Sequence, residues 1–226
     1  MKYIYHHLGL GDHIICNGIV RHFFDIHNEL TVFCKPHYES NVKYMYKDND
    51  NINILSVGDD SDVNKYIVDN RILKDVIFVG FGGLHSQGAK TFDEAFFKMV
   101  GLSLDDRFNK FKFIRDKEKE KEILNILNPT GEPYIYIHDD KDRGFSIDRK
   151  KINSNLKVIE NDKKFYMFDM LGVIENAEEV HMMQTGMKDL INSFIFEKPK
   201  FFLHWYVRNY DDFLDSVGLN NFVKIY

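Results

Sequence analysis

Three short stretches of this sequence carry residue types that could do chemistry. The first is Gly9-Leu10-Gly11-Asp12, placed where an apolar, aromatic run gives way to a helical pattern. Glycines let a backbone approach a ligand closely, and a helix start favours negative charge. Asp12 is itself negative and would repel a phosphate beside it. The chemistry it fits better is that of a general base taking the proton of a neutral hydroxyl. The other reading of Asp12 is an N-cap for a helix beginning near His13. As a dinucleotide fingerprint the stretch is incomplete, because the third glycine position of G-x-G-x-x-G, counted from Gly9, is Ile14.

The second stretch, VHMMQTGMKDLINSF, passes from strand to helix at Gln184, Thr185 and Gly186. Small and hydroxyl-bearing residues at a helix start present N–H groups to an anion. Thr185 adds a hydroxyl, and Lys188 a positive charge about one turn in. This reads as a diphosphate site, with an ordinary threonine N-cap as the alternative. The third stretch is IHDDKDRGFSID. His138 closes a strand, and Lys141 and Arg143 follow in a loop. The planar fork of arginine suits phosphate oxygens. Asp139, Asp140 and Asp142 lack a calcium-loop pattern and read as a solvated turn, so no metal site is expected.

The other histidines are less telling. His6 and His7 lie beside the first glycine stretch and His85 lies in a second, FGGLHSQGAK; all three could touch substrate. None shows a zinc pattern such as H-E-x-x-H. His22, His27 and His37 read as structural or surface residues. No G-x-S-x-G elbow supports serine-hydrolase chemistry. The aspartates fit a small phosphatase or nucleotidase poorly.

These stretches need a scaffold, and the chain is long enough for one. Its 226 residues, 44% hydrophobic and 29% charged, fit one large domain or two small ones. A net charge of −5 without a long basic run disfavours nucleic-acid binding. No apolar run approaches the roughly 20 residues of a membrane span, and no secretory leader pattern opens the chain. Cys16 and Cys34 are too few for a disulfide framework and lack metal-site spacing. The expected setting is cytoplasmic.

Along the chain, strands are predicted at 2–6, 30–34, 52–57 and 75–80, with helices at 13–27, 36–46, 62–70 and, capped by Thr91, 91–101. The run at 115–128 is charged early and apolar late. It reads as a solvated helix linking two halves. Alternation then resumes, with strands at 133–138, 156–160, 179–183, 200–204 and 222–226. The helices between them fall at 164–175, 185–196 and 211–217. Strands alternating with helices imply parallel sheets. The predicted fold class is therefore α/β, with two Rossmann-like parallel-sheet domains, 1–115 and 130–226, joined by a linker helix at 116–129 and facing a central cleft.

Together the three stretches resemble the GT-B glycosyltransferases, and among them the heptosyltransferase-like family of the ADP-heptose:LPS type, in compact form. That family carries a Gly-Asp pair in its first strand-to-helix loop, matched by Gly11-Asp12. Its donor half carries a strand and then a hydroxyl-and-glycine helix start, which Met183-Gln184-Thr185-Gly186 resembles. The stretch FDMLGVIENAEEVHMMQT resembles the region holding the family's donor site. The resemblance implies a nucleotide-diphosphate sugar against the second half and a hydroxyl-bearing glycan or other acceptor against the first. It makes Asp12 the base of an inverting transfer. Diphosphate charge would be met by Lys141, Arg143, Thr185, Gly186 and Met187 rather than by a metal, with no cofactor beyond the donor substrate. Three features depart from the family. Gln184 stands where an acid is usual, the chain is short for the fold, and the strand at 222–226 stands where a long C-terminal helix is common. The heptosyl substrate is therefore not carried over. Two other readings remain: a non-catalytic nucleotide- or sugar-binding module, and a Rossmann-type NAD(P) oxidoreductase using the first half.

Overall fold

The computed structural model describes residues 1–82, 88–208, 213 and 215–226. His85 and, in the predicted helix at 211–217, residues 211, 212 and 214 lie outside the described residues. The chain forms two compact units, Met1–Ile114 and Arg115–Tyr226.

The first unit is built on four parallel strands, β1 (Lys2–Tyr5), β2 (Leu30–Cys34), β3 (Ile52–Ser56) and β4 (Val76–Phe78), in the order β3-β2-β1-β4. Tyr3 aligns with Thr31 on one side and Val76 on the other. Every residue of β2, LTVFC, is buried, as expected of a continuous apolar strand covered on both faces.

The helix predicted at 13–27 is two helices, α1 (Leu10–Ile15) and α2 (Asn17–His27), broken at Cys16. It also starts earlier than predicted. Gly11 costs a helix about 1 kcal/mol relative to alanine, so the sequence pattern places it in a loop; here it lies inside the first turn of α1. Asn28 ends α2 in the left-handed region at φ 59°, its N–H on Phe24 O at 2.7 Å.

A single turn at Pro36–Tyr38 leads into α3 (Glu39–Met45). α4 (Asp60–Asp69) starts two residues before its predicted position because Asp59 and Asp62 close a reciprocal capping box. α5 (Phe92–Met99) begins after Thr91, whose side chain makes no cap hydrogen bond; Glu94 reaches back to the N–H of Lys90 at 2.7 Å instead. α6 (Asp106–Asn109) was not predicted. It packs so closely on α2 that a Cβ at Gly18 would come within 2.6 Å of Asp106 O.

The second unit opens with α7 (Lys117–Leu127), the helix predicted as a solvated linker. Its Glu120 is 2% exposed and takes both arms of Arg115, at 2.7 and 2.6 Å. Arg115 also reaches Glu175 at 2.8 Å on α8 (Leu171–Asn176). Gly172 allows the close approach, since a Cβ there would lie 2.7 Å from Glu120 Cβ. The helical period turns Glu120 and Ile123 inward, so this charged run has a buried, ion-paired face rather than a wholly solvated one.

Five parallel strands follow: β5 (Tyr134–His138), β6 (Lys157–Glu160), β7 (Glu179–Met182), β8 (Lys200–His204) and β9 (Phe222–Ile225), ordered β6-β5-β7-β8-β9. α9 (Gly186–Asn192) joins β7 to β8 and is shorter than predicted. The Asn220 amide donates to Ile191 O and Phe194 O, satisfying carbonyls at the end of α9. No helix among the described residues is long and apolar enough to cross a membrane.

One face of the second sheet carries a hydrogen-bonded chain that the sequence pattern did not reveal. His181 Nε2 meets Glu179 Oε2 at 3.2 Å, and His181 Nδ1 meets His204 Nε2 at 3.0 Å. His204 Nδ1 meets the Tyr206 hydroxyl at 3.2 Å, which also accepts the Asp148 N–H at 3.0 Å. Neutral rings satisfy every link with one proton order: Asp148 N–H to Tyr206, Tyr206 O–H to His204, His204 Nε2–H to His181, His181 Nε2–H to Glu179. Protonating His181 in this order sets its Nδ1–H against the His204 Nε2–H. Burial lowers both imidazoles. Arg149 adds to this at both rings and Lys151 at His204; Glu179 opposes it at His181 and Asp139 at His204. His204 falls to about 4 from the ordinary 6.5. Between those values the unfolded chain binds a proton the native state does not, so stability falls as pH drops through that window. His6 and His138 are lowered to about 4 as well and act in the same direction. Denaturation midpoints measured across this range should fall with acidification, and His204→Gln should flatten the dependence relative to the unsubstituted protein.

Candidate functional site

In an open parallel sheet, ligands bind beyond the carboxyl ends of the strands, where the strand order reverses. In the first sheet that point lies between β1 and β4. The loop after β1 carries Gly9, Gly11 and Asp12, and the loop after β4 begins the second glycine-rich stretch. In the second sheet the reversal lies between β5 and β7. The loop after β5 carries His138 through Arg143, and the turn after β7 carries Gln184 through Lys188. All three stretches singled out for chemistry thus flank switch points.

At the first of these, Gly9 is the N-cap of α1 with extended backbone. Asp12 is the third helical residue, so it does not cap a helix beginning at His13. Its carboxylate folds back over residue 9, where a Cβ would stand 2.5 Å from Oδ2. Glycine at 9 therefore makes room for the Asp12 carboxylate itself. His7 Nε2 donates to Gly80 O at 2.8 Å, tying the loops after β1 and β4 together, and its ring lies between Phe81 and Phe96.

Beneath the turn lies a buried polar group. The His6 and His13 rings meet edge to face at 4.4 Å, and both residues are buried. Desolvation lowers His6 to about 4 and His13 well below its ordinary value, so both are neutral at physiological pH. Burial pushes the Cys16 thiol up, Asp12 and Asp93 push it further, and Arg107 opposes them. Asp93 and Arg107 form a wholly buried ion pair between α5 and α6.

At the second switch point the predicted residues divide. His138 is half-buried, and burial lowers it to about 4, so it is a neutral neighbour rather than a cation. Lys141 is held by Glu160 at 2.6 Å. Arg143 is exposed and ion-paired to Asp140. Thr185 is the N-cap of α9, but its hydroxyl makes no cap bond and meets no partner among the described residues. Gln184 is buried, and its amide nitrogen also lacks a partner there. Gly186 and Met187 open α9, with the Met187 side chain buried.

Lys188 does not serve this edge. Its ammonium is buried and bound to Asp215 at 2.6 Å and to Ser216 O at 3.0 Å. A lysine in the first turn of a helix reads as an anion ligand only until a distant carboxylate claims it. Asp139, Asp140 and Asp142 each face a cation: Arg149 at 2.7 Å, Arg143, and Lys163, respectively. Among the described residues no three candidate ligands gather as a metal site.

Sequence reasoning missed Arg208, which follows β8. Its side chain is 10% exposed, its Nη1 donates to Gln184 O at 2.7 Å, and its guanidinium lies 5.2 Å from the Phe145 ring. Nη1 also stands 3.8 Å from Asp140 Oδ2. The loops after β5, β7 and β8 therefore converge on this one guanidinium.

The fold and these two crevices define an α/β protein of two parallel-sheet units, each with loops of ligand-binding character at its switch point. No family model matches the chain, and no curated protein does. Two solved structures align with it over most of its length. A glycosyl transferase family 9 protein from Veillonella parvula DSM 2008 is 12% identical, covers 85% of this chain and 78% of its own, and gives a TM-score of 0.47. The ADP-heptose lps heptosyltransferase II of E. coli is 8% identical, with 85% and 81% covered and a TM-score of 0.49.

Proposed function

We propose that the protein is a GT-B-type glycosyltransferase that moves a sugar from a nucleotide-diphosphate sugar to a hydroxyl acceptor. The observation that carries the reading is the placement of all three chemistry-bearing stretches at the carboxyl-end crevices of two parallel sheets. The first unit is the acceptor side and the second the donor side.

Asp12 takes the proton of the acceptor hydroxyl as its oxygen bonds to the anomeric carbon. The bond from that carbon to the diphosphate oxygen breaks, and its electron pair leaves with the nucleoside diphosphate. The growing charge is met by Arg143, by the Thr185 hydroxyl and by the N–H groups of Gly186 and Met187, a preorganised set that needs no metal. Lys141 joins them on leaving Glu160, and Lys188 has no part. Displacement from the opposite face makes the transfer inverting.

The test is a thermal-shift screen of the full chain with UDP, GDP, CDP, ADP and NAD, with and without Mg²⁺. A ligand that binds the native state raises apparent stability by mass action. A shift with one nucleoside diphosphate, independent of Mg²⁺ and lost in Arg143→Ala, is the expected result. A shift with NAD alone overturns the reading in favour of an oxidoreductase.

A further inference from the structure

We propose that Glu179, His181, His204 and Tyr206 form a proton-operated switch. The two imidazoles take up one proton between them, and that proton turns the Tyr206 hydroxyl from a donor to His204 into a free donor at the carboxyl edge of the second sheet. The switch belongs to the second unit alone and does not depend on the transferase reading.

Both ends of the chain fix the sense of its hydrogen bonds. The Asp148 N–H can only donate, and it meets the Tyr206 oxygen at 3.0 Å. An ionised Glu179 can only accept, and it meets His181 Nε2 at 3.2 Å. Glu179 therefore requires the Nε2–H form of a neutral His181. The bare Nδ1 of that ring requires an N–H at His204 Nε2, 3.0 Å away. The bare Nδ1 of His204 in turn requires the Tyr206 O–H, at 3.2 Å. No other order satisfies two neutral rings between these ends.

One added proton leaves the Glu179 link as it is and reverses the Tyr206 link. With the charge on His204, both of its nitrogens donate, Nε2–H to His181 and Nδ1–H to Tyr206. With the charge on His181, its Nδ1–H points at His204, whose own hydrogen stands on Nδ1 and again points at Tyr206. The two forms differ by one hydrogen crossing between the rings. In both, the Tyr206 oxygen accepts two N–H groups, from His204 and Asp148, and its own hydrogen is released. A second proton has no place, because it sets two N–H groups against each other across the 3.0 Å link.

Tyr206 is also the point of entry. His181 and His204 are 2% and 1% exposed, while Tyr206 is half-buried on the turn after β8. Its O–H bond breaks as the Nδ1–H bond of His204 forms, and a solvent proton replaces the lost hydrogen on the phenol oxygen. Burial raises Tyr206 above its ordinary value, so this oxygen keeps a hydrogen in both states.

The surroundings hold the rings while the hydrogens move. Phe202 stacks on His181 at 4.7 Å, 7° from parallel. The Lys151 ammonium lies 4.2 Å from the centre of the Tyr206 ring and donates to Tyr226 O at 2.6 Å. Neighbouring charges decide when the pair takes its proton. Arg149 faces both rings and Lys151 faces His204, and both oppose uptake; Glu179 favours it at His181 and Asp139 at His204. Asp148, Arg149 and Asp139 also face the Tyr206 hydroxyl. Burial adds to the effect of the cations, which puts His204 at about 4. At neutral pH the Tyr206 hydrogen is therefore held inward, and acid releases it.

The experiment is nuclear magnetic resonance of the full chain with nitrogen-labelled histidine rings, titrated from neutral pH down through the value of about 4 at His204. The two rings are recognised by the coupling across their shared hydrogen bond. Both are expected as Nε2–H forms with bare Nδ1 at neutral pH. On acidification the folded protein should take up a single proton at the pair, with a hydrogen appearing on His204 Nδ1. Tyr206→Phe removes the acceptor of that hydrogen and should lower the pH of uptake by about one unit. Glu179→Gln removes the charge that favours the proton and should lower it too. Either ring in the Nδ1–H form at neutral pH overturns the inference, and this result needs no variant to fold. So does a proton taken up by each ring independently, or a titration that Tyr206→Phe leaves unchanged. Unfolding of the unsubstituted chain before any ring signal of the folded protein moves overturns it as well.

Discussion

Replacing Asp12 by asparagine is expected to lower turnover by about 10²- to 10⁴-fold while leaving nucleoside diphosphate affinity unchanged. The substitution keeps the shape of the side chain and removes its basicity. The residues proposed to meet the diphosphate belong to the other sheet, so the substitution alters none of them. Asp12 is half-buried on the first turn of α1, with its carboxylate over Gly9. An acid there also favours the helix start, by roughly 0.3–1 kcal/mol for an exposed site. The two roles separate cleanly. A base loses turnover with little change in unfolding temperature, whereas a structural acid loses some stability and keeps turnover. The measurement is product formation from each nucleotide sugar that the binding screen selects, with unfolding followed in parallel. Binding without turnover in the unsubstituted protein favours the non-catalytic module. Retained turnover in Asp12→Asn moves the base to another residue.

Much of the scaffold could be read from pattern alone, because parallel strands buried on both faces are near-continuous apolar runs. LTVFC and YIYIH are of that kind, and both are strands at the predicted places. The failures come from contacts between residues far apart in sequence. α6 is polar and four residues long, and no local signal announces it. It carries Arg107, bound to Asp93, and meets α2 at Gly18. The inward face of α7 exists because Glu120 finds Arg115, which no charge pattern specifies. Glycine disfavours helix and so marks Gly11 as loop, yet α1 begins at Leu10.

The candidate site divides along the same line. Asp12, Arg143 and Thr185 were legible because their residue types sit at strand-to-helix junctions. Arg208 was not, since WYVRNY matches no motif. Topology was the signal that could have found it. Each loop after a parallel strand contributes to the crevice, the loop after β8 included. Lys188 misleads for the opposite reason: its helix position suits an anion, but Asp215 claims its ammonium.

The largest effect on stability is expected at Asp93. Both side chains of the Asp93–Arg107 pair are wholly buried, so neither charge is eased by solvent. Asp93→Ala leaves the buried guanidinium without that counter-charge, at an expected cost of about 3–5 kcal/mol. Breaking a buried pair from one side is costly, whereas replacing both members by apolar groups of similar volume is often close to neutral. The double variant Asp93→Leu/Arg107→Met should therefore recover most of the stability lost in Asp93→Ala. Denaturant unfolding of both single variants and the double variant closes the cycle and gives the coupling between the two residues. A loss below about 1 kcal/mol in Asp93→Ala would place this pair in the range of exposed ones and contradict its burial. A large loss that the apolar pair does not recover would mean that α5 and α6 need this pairing for their register as well as its charge balance. α6 would then depend on Arg107 for its place against Gly18 of α2, and α2 follows directly from the turn that carries Asp12.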